Sequence, residues 1–203
     1  MALRKIVYDG DPLLRKQSRE VSEITPRIRT LIEDMWETLY EQNGVGLAAP
    51  QVGVLRRAIV IDTTPPPKEE EEDSGTDDAV IPAKAGISDD SVGEQDGAVT
   101  APEEAPQAPQ KYTLINPEIV WVSEETQCSK EGCLSVPGRT CTVTRPERVR
   151  VKALDEAGRP VEIEADGLLA KALQHEIDHL NGVVIVDIAD EIEDLRNESE
   201  QED

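Results

Sequence analysis

The chain has 203 residues and a formal net charge of −22, enough length for one domain with a real core. The acidity is uneven: residues 64–110 hold 13 Asp/Glu against Lys68 and Lys84, residues 187–203 hold nine against Arg196, and the remaining body carries 21 acids and 18 bases. A nearly neutral body excludes reading the whole protein as a partner for basic ligands, and no basic patch of useful size is left for nucleic acid. No run of apolar residues approaches a membrane span. The start, Met1-Ala2-Leu3-Arg4-Lys5-Ile6, lacks the apolar stretch of a secretion signal. Three cysteines at irregular spacing make a poor disulfide framework, so a reducing cytoplasm is the expectation. Phe is absent and Trp and Tyr total five, which leaves the core to Leu, Ile, Val and Ala.

In chain order, residues 11–17 suit a short helical turn after Asp11-Pro12. A helix is expected over 26–42, with Thr25 as N-cap, Pro26 at the first helical position and Asn43-Gly44 ending it. Its stripe Ile28, Leu31, Ile32, Met35, Trp36 and Leu39 faces a core. The following Gly44–Gln51 is small, apolar and glycine-rich, so its backbone can approach another group closely. It is not a phosphate loop, because no Gly-Lys-Ser/Thr follows. Residues 57–62 read as a buried strand. Residues 64–110 hold seven of the 14 prolines and the acidic run Glu69–Asp73. Such a stretch cannot bury enough apolar surface to offset its ordering entropy, and it is expected as a disordered insertion whose ends lie close together.

Strands are expected at 112–115, 118–123, 126–131, 140–144, 147–154 and 160–165. In the fifth, Val149, Val151 and Ala153 alternate with Arg148, Arg150 and Lys152, the pattern of a half-exposed strand. A helix follows over 166–180, capped by Asp166 and ending near Asn181-Gly182. Residues 183–187 give a last short strand. The domain so defined spans 1–186, interrupted by 64–110 and followed by an acidic tail, 187–203, with at most a frayed helix.

The chemistry concentrates in two histidines, the only two in the chain, in His175-Glu176-Ile177-Asp178-His179. At i and i+4 on a helix they project from one face and can grip one metal ion. Glu176, next to the first, is placed to handle the protons of water at that ion. The plain alternative is a helix with two surface histidines. Two imidazoles leave a metal under-coordinated, and Cys133, held between strand-like runs, is the best third ligand. Cysteine with two histidines suits Fe(II), Zn(II), Ni(II) or Co(II), and three protein ligands leave one position open. Cys133 as a small buried hydrophobe, or a structural zinc site of Cys128, Cys133 and Cys141, are the competing readings.

Three segments, Gly44–Gln51 (GVGLAAPQ), Glu131–Pro137 (EGCLSVP) and Gln174–Gly182 (QHEIDHLNG), resemble the three signature motifs of the peptide deformylase family, in the family's order. Asp11–Lys16 and Leu114–Pro117 are similar to family sequence as well. The resemblance implies an α+β fold with antiparallel β-sheets wrapped around a central metal-binding helix. It implies removal of the N-formyl group from the formyl-methionine of newly made polypeptides, releasing formate. It also implies Cys133, His175 and His179 as metal ligands, Glu176 as base and then acid, and Gln51 (side-chain amide) and Leu134 (backbone N–H) as donors to the oxyanion. The family metal is typically Fe(II). An apolar slot for methionine is expected from Val45, Leu134, Ala172 and Leu173, and bare backbone for a peptide strand from Gly46 and Gly132. Nascent formyl-Met chains are then the partners, with no membrane, no direct nucleic-acid contact and a monomeric state expected. The acidic tail would be repelled by ribosomal RNA. Two rival classes are a metallopeptidase cleaving ordinary amides and a metal-binding protein without catalysis. Cys133 is an unusual ligand for the first, and Glu176 would be idle in the second.

Overall fold

Two antiparallel sheets and two long helices make up residues 2–64 and 111–195, the part of the chain that the computed structural model describes. The expected insertion, 64–110, lies outside these residues except for Thr64, as does 196–203 at the end of the expected tail. The larger sheet runs in the order β1 (Gly46–Ala48), β2 (Ala58–Asp62), β3 (Lys111–Val122), β6 (Val149–Leu154) and β7 (Pro160–Ala165). The smaller sheet holds β4 (Thr126–Gly132), β5 (Arg139–Pro146) and β8 (Glu191–Asp194). The helices are α1 (Pro26–Glu41) and α2 (Gly167–Leu180).

The core explains why β2 reads as an unbroken apolar run. Side chains alternate between sheet faces. Ile59 and Ile61 face one cluster with Leu169, Leu173, Ile177 and Leu180 of α2. Ala58 and Val60 face another with Leu31, Ile32, Met35 and Leu39 of α1. The strand therefore lies between two helices, and both of its faces are dry. A third cluster, with Leu14, Val136, Cys141, Val143, Val184 and Ile185, packs the smaller sheet.

Several expectations shift. The segments expected as separate strands at 112–115 and 118–123 are one strand, β3, whose pairing with β6 slips between Ile115 and Glu118. Asn116 takes φ 53° there, and its side-chain amide bonds the Val21 N–H and carbonyl at 2.8 and 2.9 Å, which holds the bulge in place. The short strand expected at 183–187 is instead a 3₁₀ turn, Ile185–Asp187, with the Val184 N–H donating to the Asp187 carboxylate. The expected tail is not wholly peripheral, because β8 pairs with β5 from Arg139↔Asp194 to Thr142↔Glu191. Thr25 and Asp166 occupy their N-cap positions without a side-chain cap bond. Asp62 pairs with Lys111 across β2 and β3, so the two ends of the insertion meet as expected.

Candidate active site

The helix α2 fixes the two imidazoles by its register. Their ring centroids lie 5.0 Å apart at 76°, both on the side toward the end of β4. Cys133 follows β4 directly, and its Sγ stands 3.3 Å from His179 Nε2. One donor atom from each of Cys133, His175 and His179 lies within 4.8 Å of the others. Ligands at about 2.3 Å (sulfur) and 2.0 Å (nitrogen) from one tetrahedral ion sit about 3.6 Å apart, so the triad has the spacing of a metal site. His175 Nδ1 is already bonded to Glu131 Oε2 at 3.0 Å, which directs Nε2 toward the shared point. Burial opposes charge on His175, but its hydrogen bonds with Cys133 and Glu131 outweigh that and raise its pKa to about 10. Burial, with the charge on His175, keeps His179 well below the ordinary imidazole range. One sulfur and two imidazole nitrogens at this spacing are a donor set for a divalent cation.

A buried ion network holds this geometry. Arg145, 5 % exposed, bonds both oxygens of Glu131 (2.7 and 3.2 Å) and Asp178 Oδ2 (2.8 Å). One guanidinium therefore ties the end of β4 to α2. Burial pushes the Glu131 carboxyl up, but the bonds from His175 and Arg145 prevail and hold it below its usual value.

Glu176 is buried, and its Oε2 has no hydrogen-bond partner among the described residues. Burial is the main cause that raises its pKa to about 7. It lies flat against Gly46, where a Cβ would meet Glu176 Oε1 at 2.4 Å. Only glycine leaves room for the carboxylate. Gln51 is also buried; its Oε1 accepts the Ala48 N–H at 2.8 Å, which aims Nε2 at Ser135 Oγ (3.2 Å) and Cys133 Sγ (3.6 Å). The Leu134 N–H donates to no backbone carbonyl among the described residues. These groups meet at the base of a cavity of about 470 Å³.

The family described as polypeptide deformylase matches residues 3–195. A peptide deformylase of Alkaliphilus metalliredigens is 44% identical over 189 residues, covering 92% of this chain and 97% of that protein. The chain belongs to the peptide deformylase family. Solved deformylases share the fold: that of Ehrlichia chaffeensis is 35% identical with a TM-score of 0.71, covering 94% of this chain and 89% of the other. A deformylase of Acinetobacter baumannii, solved with Met-Ala-Ser bound, is 30% identical with a TM-score of 0.70, covering 92% and 98%. The α+β architecture of antiparallel sheets and two long helices is thus the family's. Deformylases are metal-dependent enzymes that remove the N-formyl group from nascent peptides. Among the described residues, no helix of the enzyme is long and apolar enough to cross a membrane.

Most residues singled out from sequence gather here. Val45, Gly46, Gln51, Gly132, Cys133, Leu134, Ala172, His175 and Glu176 all line the cavity. His179 lies behind them, 1% exposed. Leu173 does not line it; it is fully buried in the cluster between α2 and the larger sheet, because it sits on the opposite side of the helix from His175. Sequence reasoning missed Arg145, whose signal was an arginine in register with the inward Cys141 and Val143 of an alternating strand. It also missed Ser135, Lys171 and the cavity wall formed by Leu195 after β8.

Proposed function

We propose that Cys133, His175 and His179 hold the enzyme's catalytic cation, and that Glu176 serves as base and then acid in deformylation of formyl-Met peptides. One observation carries this reading: three metal donors converge beside a buried carboxylate with an unpartnered oxygen, at the base of a cavity. Fe(II) is the favoured metal, and Zn(II), Ni(II) or Co(II) suit the same donors. When bound, the cation supplies Lewis acidity that polarises the formyl oxygen and makes water reactive at neutral pH.

The chain's own groups do the rest. Beside positive charge at the triad, Glu176 favours its carboxylate form and can take a proton from the attacking water. It then returns that proton to the departing amine. Gln51 Nε2 and the Leu134 N–H face the oxygen that gains charge, and loss of one such donor typically costs about 3 kcal/mol. Val45, Leu134 and Ala172 offer the apolar wall for the methionine side chain. Among the described residues, β1 and β4 are edge strands, each paired on one side, which leaves backbone at Gly46 and Gly132 for an extended peptide. A tripeptide beginning with methionine, as in the Acinetobacter complex, is the class of ligand this slot suits. The enzyme acts as a cytoplasmic monomer without direct nucleic-acid contact on this reading.

The test is formate release from formyl-Met-Ala-Ser by the metal-loaded chain. Glu176→Gln should lower kcat at least about 100-fold while metal content stays unchanged. A variant within threefold of wild type would remove Glu176 from the chemistry.

A further inference from the structure

Three lysine and arginine side chains line the active-site cavity: Lys130, Arg139 and Lys171. Two are neutralised by β8. Lys130 Nζ sits 2.7 Å from Glu193, and Arg139 Nε sits 3.0 Å from Asp194. Lys171 has no such carboxylate among the described residues. It is half-buried on α2, flanked on the cavity wall by Leu168 and Ala172. Its ammonium therefore stands between two apolar neighbours with no carboxylate partner among the described residues.

Its place along the helix sets what it can reach. Lys171 precedes the ligand His175 by one turn, about 6 Å along the axis. Helical side chains lean toward the N-terminus, which carries the ammonium farther from the metal centre. An extended peptide advances about 3.3 Å per residue. A peptide extended from the metal donors along α2 toward its N-terminus would pass Lys171 with the residues that follow the formyl-methionine.

We propose that Lys171 is a specificity-determining residue that favours formyl-Met peptides with a side-chain carboxylate at the second or third position. The proposal rests on the reading of the cavity as the peptide slot. A carboxylate there meets the one lysine or arginine of the cavity that has no carboxylate partner among the described residues. The free C-terminus of a short test peptide offers the same chemistry, so the substrates must be C-terminally amidated.

The experiment compares kcat/KM within two isosteric pairs of amidated peptides, formyl-Met-Glu-Ser against formyl-Met-Gln-Ser and formyl-Met-Ala-Glu against formyl-Met-Ala-Gln. The metal-loaded full chain should favour the acid in at least one pair by about two- to fivefold, the range of a partly exposed ion pair, and through KM rather than kcat. Lys171→Met should bring that ratio to one, and Lys171→Arg should keep it. Lys171→Glu should reverse it and favour formyl-Met-Lys-Ser. Each ratio is internal to one preparation, so partial unfolding of a variant does not imitate the effect. A wild-type ratio of one in both pairs, or a ratio that survives Lys171→Met, overturns the proposal alone. Wild-type protein that releases formate from none of the peptides overturns the reading beneath it.

Discussion

At the scale of single residues, the centre depends on a side chain that touches no ligand atom. Arg145 neutralises Glu131 and Asp178 where water is scarce, and Glu131 in turn fixes the His175 ring. Glu131→Gln preserves shape but removes the charge that holds Nδ1 in its donor form. It should weaken metal binding about 10- to 100-fold, measured by competition with a chromophoric chelator, with the far-UV spectrum unchanged. Wild-type affinity in that variant would show that packing alone orients His175. Arg145→Met should act on folding instead, since it strands the nearly buried Glu131 carboxylate and costs about 3 kcal/mol. Sequence made Glu131 visible only as part of a motif. Its role needs Arg145, which lies on the next strand, and a contact across a hairpin carries no local pattern. Gly46 is the opposite case: a glycine was legible as a place of close approach, but that Glu176 fills the space is a tertiary fact.

Elements differ in how plainly the chain announces them. The helix α2 was legible because its apolar and ligand positions share one period. The strand β1 was hidden by its three-residue length and its small side chains, which give no alternation to read. The strand β8 was hidden by charge. Glu191, Glu193 and Asp194 look like a solvated tail until Lys130 and Arg139 across the sheet are known. What α2 buries also makes a prediction. With metal removed, Glu176 ionises in the folded chain only at about 7, above the ordinary carboxyl value of 4.5. The folded state then binds an extra proton between these values. The stability this contributes is full below about 4.5 and lost as pH rises through about 7. Glu176→Gln should therefore leave the stripped protein's stability unchanged near pH 4 and raise it at pH 8, by up to about 3 kcal/mol. Denaturant melts in chelator at the two pH values measure this. An equal effect at both would mean that the buried carboxyl does not change its proton across the range.

For the whole molecule, the question is how one folded unit tolerates so long an interruption. The connection from β2 to β3 spans 63–110, yet Asp62 and Lys111 pair in register, and their side chains meet at 3.3 Å. The ladder from Ala58↔Ile115 to Asp62↔Lys111 is antiparallel, a geometry that a short turn also closes. The proposed metal donors and Glu176 lie on β4's end and on α2, and the cavity's walls come from Asn43–Gln51, 130–140, α2 and Leu195. Among the described residues, these walls and donors all come from outside the connection. Closure entropy grows only with the logarithm of loop length, so a tenfold shorter loop returns about 2 kcal/mol. Replacing 65–110 by a four-residue turn should therefore keep formate release within tenfold of the full chain and should not lower the melting temperature. It also removes a net charge of −11, from 13 acids against two lysines. Both quantities should be compared at low and at 0.5 M salt, because long-range repulsion is screened at the higher strength. Loss of activity with the fold intact, at either salt, would show that residues 65–110 take part in the chemistry or in peptide binding; loss of the fold would show that they are part of the core.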